Sequence, residues 1–475
     1  MDFHSHLSLS LLQFMSDQGL IPSPEEDLKR EIIINKLKAT VLKWIKRVAW
    51  QRRLPVDVIS AASATILPYG SYGLGVHDSE SDTDALCVGP CFASRAEDFF
   101  VVLCNMLKNM PGVLDVHSVK DAKVPLMRFK FEGISVDLLY AQLQFTSVPE
   151  NVDLLDPASL TGIDDNTRKS LSGVRANQSI LQLVPNLQSF QSLLRCIKFW
   201  AKQRGVYGSL FGYLGGIHLA ILAAFICLKN PDAGLSVLVR SFFDTFANWP
   251  WPTPAALQDE VMTFKEDANE KMSWMPIRLP CSPYEFCQSN ITRGTFNRIR
   301  TEFLRGHSIT RDLLRPDFDW GSLFEPFDYR KRYSWFLKIY LSAWEKDDLG
   351  DWIGWVKSRF PRLILKLEEV KRSCDPNPTE YVEIGSSEAE SSVVFCWGLH
   401  PSRAQFDVAL VEEDFRNHLN GGPTGTIRLA VVQASEFPST TQSTTGKVKA
   451  TKACWGTPDC DQRTTPAFSV LTASS

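Results

Sequence analysis

Three aspartates and a glycine-rich turn carry the chemistry this sequence could perform. Tyr69-Gly70-Ser71-Tyr72-Gly73-Leu74-Gly75 follows a short apolar run, and Asp82-Thr83-Asp84 opens the next one. Gly70 and Ser71 can offer unobstructed backbone N–H groups and a hydroxyl to phosphate oxygens. Residues two apart on a strand project to the same face, so Asp82 and Asp84 form an acidic pair. Adjacent like charges repel unless a cation lies between them. Mg2+ is the hard, oxygen-seeking cation that combines few carboxylates with substrate phosphates. A third acid, Asp137, stands inside the apolar run Ile134-Ser135-Val136-Asp137-Leu138-Leu139-Tyr140, where a charge is seldom buried without a partner. A salt bridge would satisfy Asp137 taken alone. Taken with Asp82 and Asp84, three carboxylates around one or two metal ions is the better account. Two metals about 3.5–4 Å apart can hold both the attacking and the leaving oxygen of an in-line phosphoryl displacement.

These residues need elements to hold them. Residues 57–145 alternate short apolar runs with Gly, Pro and Asp, and the runs ATILPYGS, DALCVGP, VPLMRFKF and ISVDLLYA read as strands. Lys130-Phe131-Glu132-Gly133-Ile134 reads as a tight hairpin turn, and one helix is predicted from about Arg95 to Asn109. A helix over 25–50 precedes this unit, with Ile33, Leu37, Val41, Trp44, Ile45 and Val48 at helical spacing. Residues 146–305 read as mostly helical. There Phe190, Leu193, Leu194, Ile197 and Trp200 mark an apolar face, Arg195, Lys198 and Lys202 a basic stripe, and Gly205 a C-cap. Lys198 is either a solvated surface charge or a point charge aimed at phosphate. Tyr207 either caps the core or stacks on a base. A buried helix spans about 216–228. Residues 306–435 return to strand–helix–strand patterning: YSWFLKIYLSA, a helix over 350–367, SSVVFCWGL and TIRLAVVQA. From Phe437 the chain is Ser/Thr-rich with few large apolar residues, and a disordered tail is predicted.

Composition sets the outer limits. The chain has 475 residues, 44% hydrophobic and 22% charged, with 51 Lys+Arg against 54 Asp+Glu, a net charge of −3. That excludes wholesale disorder, a collagen-like fibre and a small disulfide scaffold, and the length suits two to four domains. The 11 cysteines contain no CxxC pair and lack zinc-site spacing, so they read as reduced structural thiols. The N-terminus lacks the basic region of a secretory signal, and the apolar stretch 213–228 is too short for a membrane span.

GSYGLGVH followed by DTDALCVGP, then the lone aspartate of GISVDLLYA, resembles the nucleotidyltransferase superfamily that includes DNA polymerase β. More narrowly the chain resembles eukaryotic poly(A) polymerases. The similarity continues through SLSGVRANQSILQLVPN, LLRCIKFWAKQRGVYGSLFGYLGGIHLAIL and FANWPWPTP, and covers roughly residues 20–435. The resemblance implies an α+β multidomain protein. Its parts are a nucleotidyltransferase α/β catalytic domain (57–145), a helical central domain (21–56 with 146–305), a C-terminal RNA-recognition-like α/β domain (306–435) and a tail (436–475). It implies template-independent transfer of AMP from ATP to an RNA 3′-OH with release of pyrophosphate, with two Mg2+ or Mn2+ ions held by Asp82, Asp84 and Asp137. It assigns Tyr69, Gly70, Ser71, Lys198, Tyr207, Gly216 and Ile217 to ATP, with Lys198 on the phosphates and Gly216 and Ile217 lining the adenine pocket. ATP and RNA 3′ ends are the implied partners, cleavage and polyadenylation factors further ones, and a monomer away from membranes is expected. His77 is assigned a structural or phosphate-adjacent place rather than the part of a general base.

Three positions depart from the family pattern. Ser172 and Ser209 stand where Asn is usual, and Gly73 where Arg is usual. Short hydroxyls in place of amides remove donors and acceptors that could read sugar or base, which leaves metal chemistry intact and loosens ATP selectivity. They keep uridylyl or another nucleotidyl transfer open as an alternative. A non-catalytic RNA-binding homologue is the alternative of another class, and the presence of all three carboxylates speaks against it. Residues 289–372 hold 17 Lys+Arg against 12 Asp+Glu, and Arg330, Lys331 and Arg332 beside Tyr329 and Tyr333 would suit single-stranded RNA. Lys447, Lys449 and Lys452 are too sparse for a basic import cluster. The family points to the nucleus, and the tail leaves the cytoplasm open.

Overall fold

The computed structural model describes residues 3–120, 122–258, 273–315, 317–343, 346–382, 392–401 and 407–438. The predicted tail from 439 onward, with Lys447, Lys449 and Lys452, lies outside the described residues. Helix α1 (Phe3–Asp17) buries Leu7, Leu11 and Met15. Helix α2 (Pro24–Gln51) starts at a capping box in which the Ser23 hydroxyl accepts from Glu26 N–H and the Glu26 carboxylate accepts from Ser23 N–H. A short α3 (Val56–Ala61) follows.

The first sheet contains β1 (Thr65–Tyr69), β2 (Thr83–Gly89), β3 (Val113–Val119), β4 (Leu126–Phe131) and β5 (Ile134–Gln142), in the order β1-β2-β5-β4-β3. Only β2 and β5 run parallel. A single helical turn, α4 (Gly70–Gly73), joins β1 to the segment that leads into β2. The helix expected from Arg95 to Asn109 divides: a π-helical stretch runs from Arg95 to Leu103, and α5 (Cys104–Lys108) completes it. Strand β3 was not among the strands read from the sequence. It is an edge strand, mostly exposed, with a register shift between Leu114 and His117, so it carries no clean alternation.

One face of this sheet packs on α2 and the π-helical stretch, around Trp44, Phe99, Phe129 and Tyr140. Trp44 is fully buried, its Nε1 donates to the Asp98 carbonyl at 2.9 Å, and its ring meets Tyr140 edge-on. The other face packs on α6 (Asp165–Leu183) through Leu171 and Val174. Beyond it lie α7 (Leu187–Gln203), α8 (Gly216–Lys229), α9 (Leu235–Ala247) and α10 (Arg293–Arg311). Gly205 follows α7 at φ +65°, the left-handed turn that ends it. Every residue from His218 to Cys227 is buried, as an all-apolar helix requires.

After α11 (Gly321–Phe324) and α12 (Tyr329–Arg332) comes the second sheet, with β6 (Trp335–Ser342), β7 (Cys374–Asp375), β8 (Tyr381–Val382), β9 (Ser392–Leu399) and β10 (Thr426–Gln433). Its order is β10-β6-β9-β7, with β8 also on β9, the arrangement of a split βαβ unit. Two helices, α13 (Lys346–Lys357) and α14 (Phe360–Glu369), replace the single helix expected over 350–367. Pro361 explains the break: it has no N–H to donate, and its ring would clash with the carbonyl four residues back. Helix α15 (Val408–Asn417) packs beside β10. Tyr329 and Tyr333 are buried, and the Tyr329 hydroxyl donates to the Pro376 carbonyl at 3.0 Å. These rings are core, and only Arg330, Lys331 and Arg332 are exposed. The nine cysteines among the described residues are free thiols. No described helix is long and apolar enough to cross a membrane.

Removing the indole that joins α2 to the first sheet is expected to be costly. Trp44→Ala should lower unfolding free energy by about 3–5 kcal/mol; denaturant titration measures it, and a loss below about 1 kcal/mol would show that α2 is not part of this core.

Candidate active site

Sheet register assembles the acidic centre. Tyr69 on β1 pairs with Asp84 on β2, Asp84 with Asp137 on β5, and Asp137 with Arg128 on β4. Laterally paired residues share a sheet face, so these four side chains form a row. Asp82 precedes β2 by one residue and is exposed, whereas Asp84 and Asp137 are half-buried. Burial first, then the charges of Asp137 and Asp82, push the Asp84 carboxyl up to about 7. Burial and Asp137 push Asp82 up as well. Burial is the first cause of both shifts, and the like charges that add to it are what a cation would relieve.

Both oxygens of Asp137 accept from Arg128, at 2.8 Å from Nε and 2.7 Å from Nη2. This bidentate bond is the main cause that raises the guanidinium pKa. The salt bridge and the acidic cluster are therefore both present. Among the described residues no three carboxylate, imidazole or thiolate groups stand in a closed metal-ligand arrangement. The donor set nevertheless fits a hard divalent cation: oxygen ligands only, mutually repelling, on one face of a rigid sheet. Arg128 was missed in the sequence, although the signal was there. Counting back from the Glu132-Gly133 turn pairs Phe131 with Ile134 and hence Arg128 with Asp137.

The glycine turn lies against this row. Gly70 has φ +64°, and a Cβ there would stand 2.1 Å from Asp84 Oδ2. Both facts require glycine. Asn177 on α6 donates to the Gly70 carbonyl at 3.1 Å, and Gln191 on α7 to that of Leu74 at 3.0 Å. The basic stripe of α7 turns onto the same segment. Arg195 donates to the Gly75 carbonyl, Lys198 Nζ to Ser71 Oγ at 2.7 Å, and Lys202 Nζ lies 3.1 Å from Asp78 Oδ2. Lys198 is not a surface lysine: it is 7% exposed, and burial, with Lys202 adding to it, pushes its ammonium down to about 8. A cavity of about 190 Å3 opens here, lined by Leu20, Val76, Asp78, Lys198, Phe199 and Gln203 among others. His77 is buried, with Nε2 2.8 Å from Asp27 Oδ1, which ties it to α2.

Tyr207 forms a β-bridge with Leu214, and its hydroxyl is 3.3 Å from where a Cβ on Gly216 would be. Burial chiefly, with the charges of Asp78 and Asp84 adding to it, raises its phenol pKa. Gly216 and Ile217 are the first residues of α8, a helix that also contacts α4. Ser209 lies beside that start, its Cβ 3.6 Å from the Cβ position of Gly215. Ser172 is exposed on α6, and its hydroxyl donates back to the Lys169 carbonyl at 3.1 Å. A Cβ at Gly73 would stand 2.8 Å from the Pro68 carbonyl oxygen, so this turn has no room for a larger residue without shifting.

Comparison with known proteins agrees with this arrangement. Residues 2–184 match the poly(A) polymerase nucleotidyltransferase domain family and residues 189–326 the poly(A) polymerase central domain family. Nuclear poly(A) polymerase 3 of Arabidopsis thaliana is 53% identical over 455 residues, 94% of this chain and 89% of that protein. The poly(A) polymerase of Dictyostelium discoideum is 38% identical over 373 residues, 77% of this chain and 46% of that longer protein. Among solved structures, the Cid1 poly(U) polymerase with MgGTP bound aligns with a TM-score of 0.50 at 13% identity, over 68% of this chain and all of that one, which is a likeness of fold. The signature turn, the aspartates and the central helices thus sit within matched segments, and the chain belongs to the eukaryotic poly(A) polymerases of the nucleotidyltransferase superfamily.

Proposed function

We propose that this protein is a template-independent polynucleotide adenylyltransferase that moves AMP from ATP to an RNA 3′-OH and releases pyrophosphate. The observation that carries the reading is the lateral row of Asp84 and Asp137, with Asp82 alongside and the Gly70–Ser71 turn closing one end. Family membership supports a divalent-cation enzyme, and the finer assignment is a pair of Mg2+ or Mn2+ ions held by Asp82, Asp84 and Asp137. Bound there, such cations supply Lewis acidity toward the 3′-OH and the phosphate oxygens.

The chain's own groups do the rest. The Gly70 and Ser71 N–H groups and the Ser71 hydroxyl bind triphosphate oxygens, and Lys198 adds a positive charge from behind Ser71. Tyr207 packs against the nucleotide beside the start of α8, where Gly216 and Ile217 present backbone to adenine. The segments divide as catalytic 57–145, central 146–305 and RNA-facing 306–435; the stretch 21–56, expected with the central helices, packs through α2 on the catalytic sheet instead, because its apolar stripe meets Phe99, Phe129 and Tyr140 there. RNA meets the exposed Arg330, Lys331 and Arg332 rather than the neighbouring tyrosine rings. The name of the Arabidopsis relative supports a nuclear location. Ser172 and Ser209 favour one second reading, the same chemistry with a looser choice of base.

Asp82→Ala, Asp84→Ala and Asp137→Ala should each reduce extension of an oligoadenylate primer by about a thousandfold or more, with the fold retained. Near-normal extension by any folded single variant would remove that residue from the set. The pH dependence follows from Lys198. Its free-enzyme pKa of about 8 leaves it charged below that pH and neutral above. kcat/KM for ATP should therefore fall as pH rises through about 8, and Lys198→Arg, charged throughout, should flatten that limb; an unchanged limb would assign it to another group. Base choice is read as kcat/KM for ATP over that for UTP, GTP and CTP. ATP should be preferred, and Ser172→Asn with Ser209→Asn should sharpen the preference. A wild-type preference for UTP would replace adenylyl by uridylyl transfer.

A further inference from the structure

Thr83 lies between Asp82 and Asp84, and strand alternation turns its side chain to the face opposite theirs. On that side stands α2. Arg30, in its second turn, is 3% exposed, and its Nη1 donates to Thr83 Oγ1 at 2.8 Å. Its Nη2 donates to the carbonyls of Asp78 and Ser79, both at 3.3 Å. One helical turn earlier, Asp27 meets His77. Helix α2 thus grips the 77–83 segment at its start, middle and end, from the side away from the reacting groups.

Core packing does not explain a guanidinium here. An apolar side chain would fill the space without the desolvation cost of a buried charge. What arginine supplies is a rigid fork of donors that fixes several acceptors relative to one another. Asp82 gains most from such support, because it precedes the strand and lies outside the β2–β5 register. A turn of one residue at this point would aim both carboxylates at α2 instead of Asp137.

We propose that Arg30 is a positioning residue: through Thr83 and the 78–79 carbonyls it sets the direction in which Asp82 and Asp84 face. This rests on the reading of the three aspartates as the cation-holding set. Arg30 touches no reacting group. Its effect is exerted through the strand it holds, and it belongs to the efficiency of the chemical step rather than to nucleotide affinity.

The test uses the full chain with Thr83→Val, Thr83→Ser, Arg30→Met, the Arg30→Met/Thr83→Val double variant and Asp84→Asn. Primer extension gives kcat and KM for ATP, calorimetric titration gives Mn2+ binding to nucleotide-free protein, and thermal melting reports folding. Thr83→Val should lower kcat roughly ten- to hundredfold, leave KM for ATP within about twofold and weaken Mn2+ binding. Thr83→Ser, which keeps the hydroxyl, should restore both. The double variant should be no worse than Arg30→Met, because the two act through one contact. Should Arg30→Met not fold, the Thr83 pair carries the test. Wild-type kcat and Mn2+ binding in Thr83→Val, or fully additive losses in the double variant, would overturn the positioning role. An active Asp84→Asn would instead bring down the reading on which it rests.

Discussion

Repulsion among carboxylates is the constraint around which this molecule is arranged. Parallel pairing of β2 with β5 sets Asp84 directly beside Asp137, a juxtaposition that costs free energy in the absence of an opposing charge. A pairing with no structural benefit would be a poor place for two acids. Their neighbours offset the cost on every side: Arg128 from β4, Lys198 from behind Ser71, and a glycine at 70 that lets backbone approach Asp84 closely. The raised carboxyl of Asp84 shows that the offset is incomplete. That residue of unfavourable energy is what a divalent cation and its triphosphate can relieve.

The helices beyond the sheet make this local arrangement depend on the whole chain. Side chains from α6 and α7 donate to carbonyls of Gly70, Leu74 and Gly75, so the signature turn is held from outside its own sheet. At its far end α7 enters a buried charge network. Arg204 Nε and Nη2 donate to Glu302 at 2.7 and 3.1 Å, Arg298 donates to Glu302 at 2.5 Å, and Tyr333 bonds Asp375 on the second sheet. Buried charges hold geometry well only when every one is matched. Lys198 at Ser71 and Arg204 at Glu302 thus stand on one helix and its C-cap, so α7 joins the signature turn to this buried charge group.

The sequence made the chemistry more legible than the shape. Tyr69 to Gly75, the Asp82/Asp84 pair and Asp137 announced themselves because charge and glycine are conspicuous among apolar strands. The basic stripe of α7 was visible at helical spacing, but its destination was not, since no spacing rule says that Lys198 is buried against Ser71 rather than solvated. Strand β3 was missed because a mostly exposed edge strand carries no alternation. The two helices over 346–369 were merged because their apolar positions continue in phase and only Pro361 marks the break. Tyr329 and Tyr333 beside three basic residues looked like a stacking platform, and the rings turned out to be core. Composition reports which residue types are near one another and says nothing of which way they face.

Asp137 shows how a bland and a functional account of one residue can both hold. A lone acid in an apolar strand was read either as half of a salt bridge or as a metal ligand, and its bidentate bond to Arg128 supplies the first. A carboxylate has about four lone-pair sites on its two oxygens. Arg128 takes one on each, and the remaining pair is free to serve a cation on the side of Asp84. Because Arg128 is exposed on β4 while Asp137 is half-buried, the guanidinium approaches from the solvent edge and leaves the Asp84 side clear. The arginine then does two things at once. It sets a positive charge against Asp137 beside another acid, and it fixes the plane of that carboxylate before any cation arrives. The salt bridge is in that sense preparation for the site rather than competition with it.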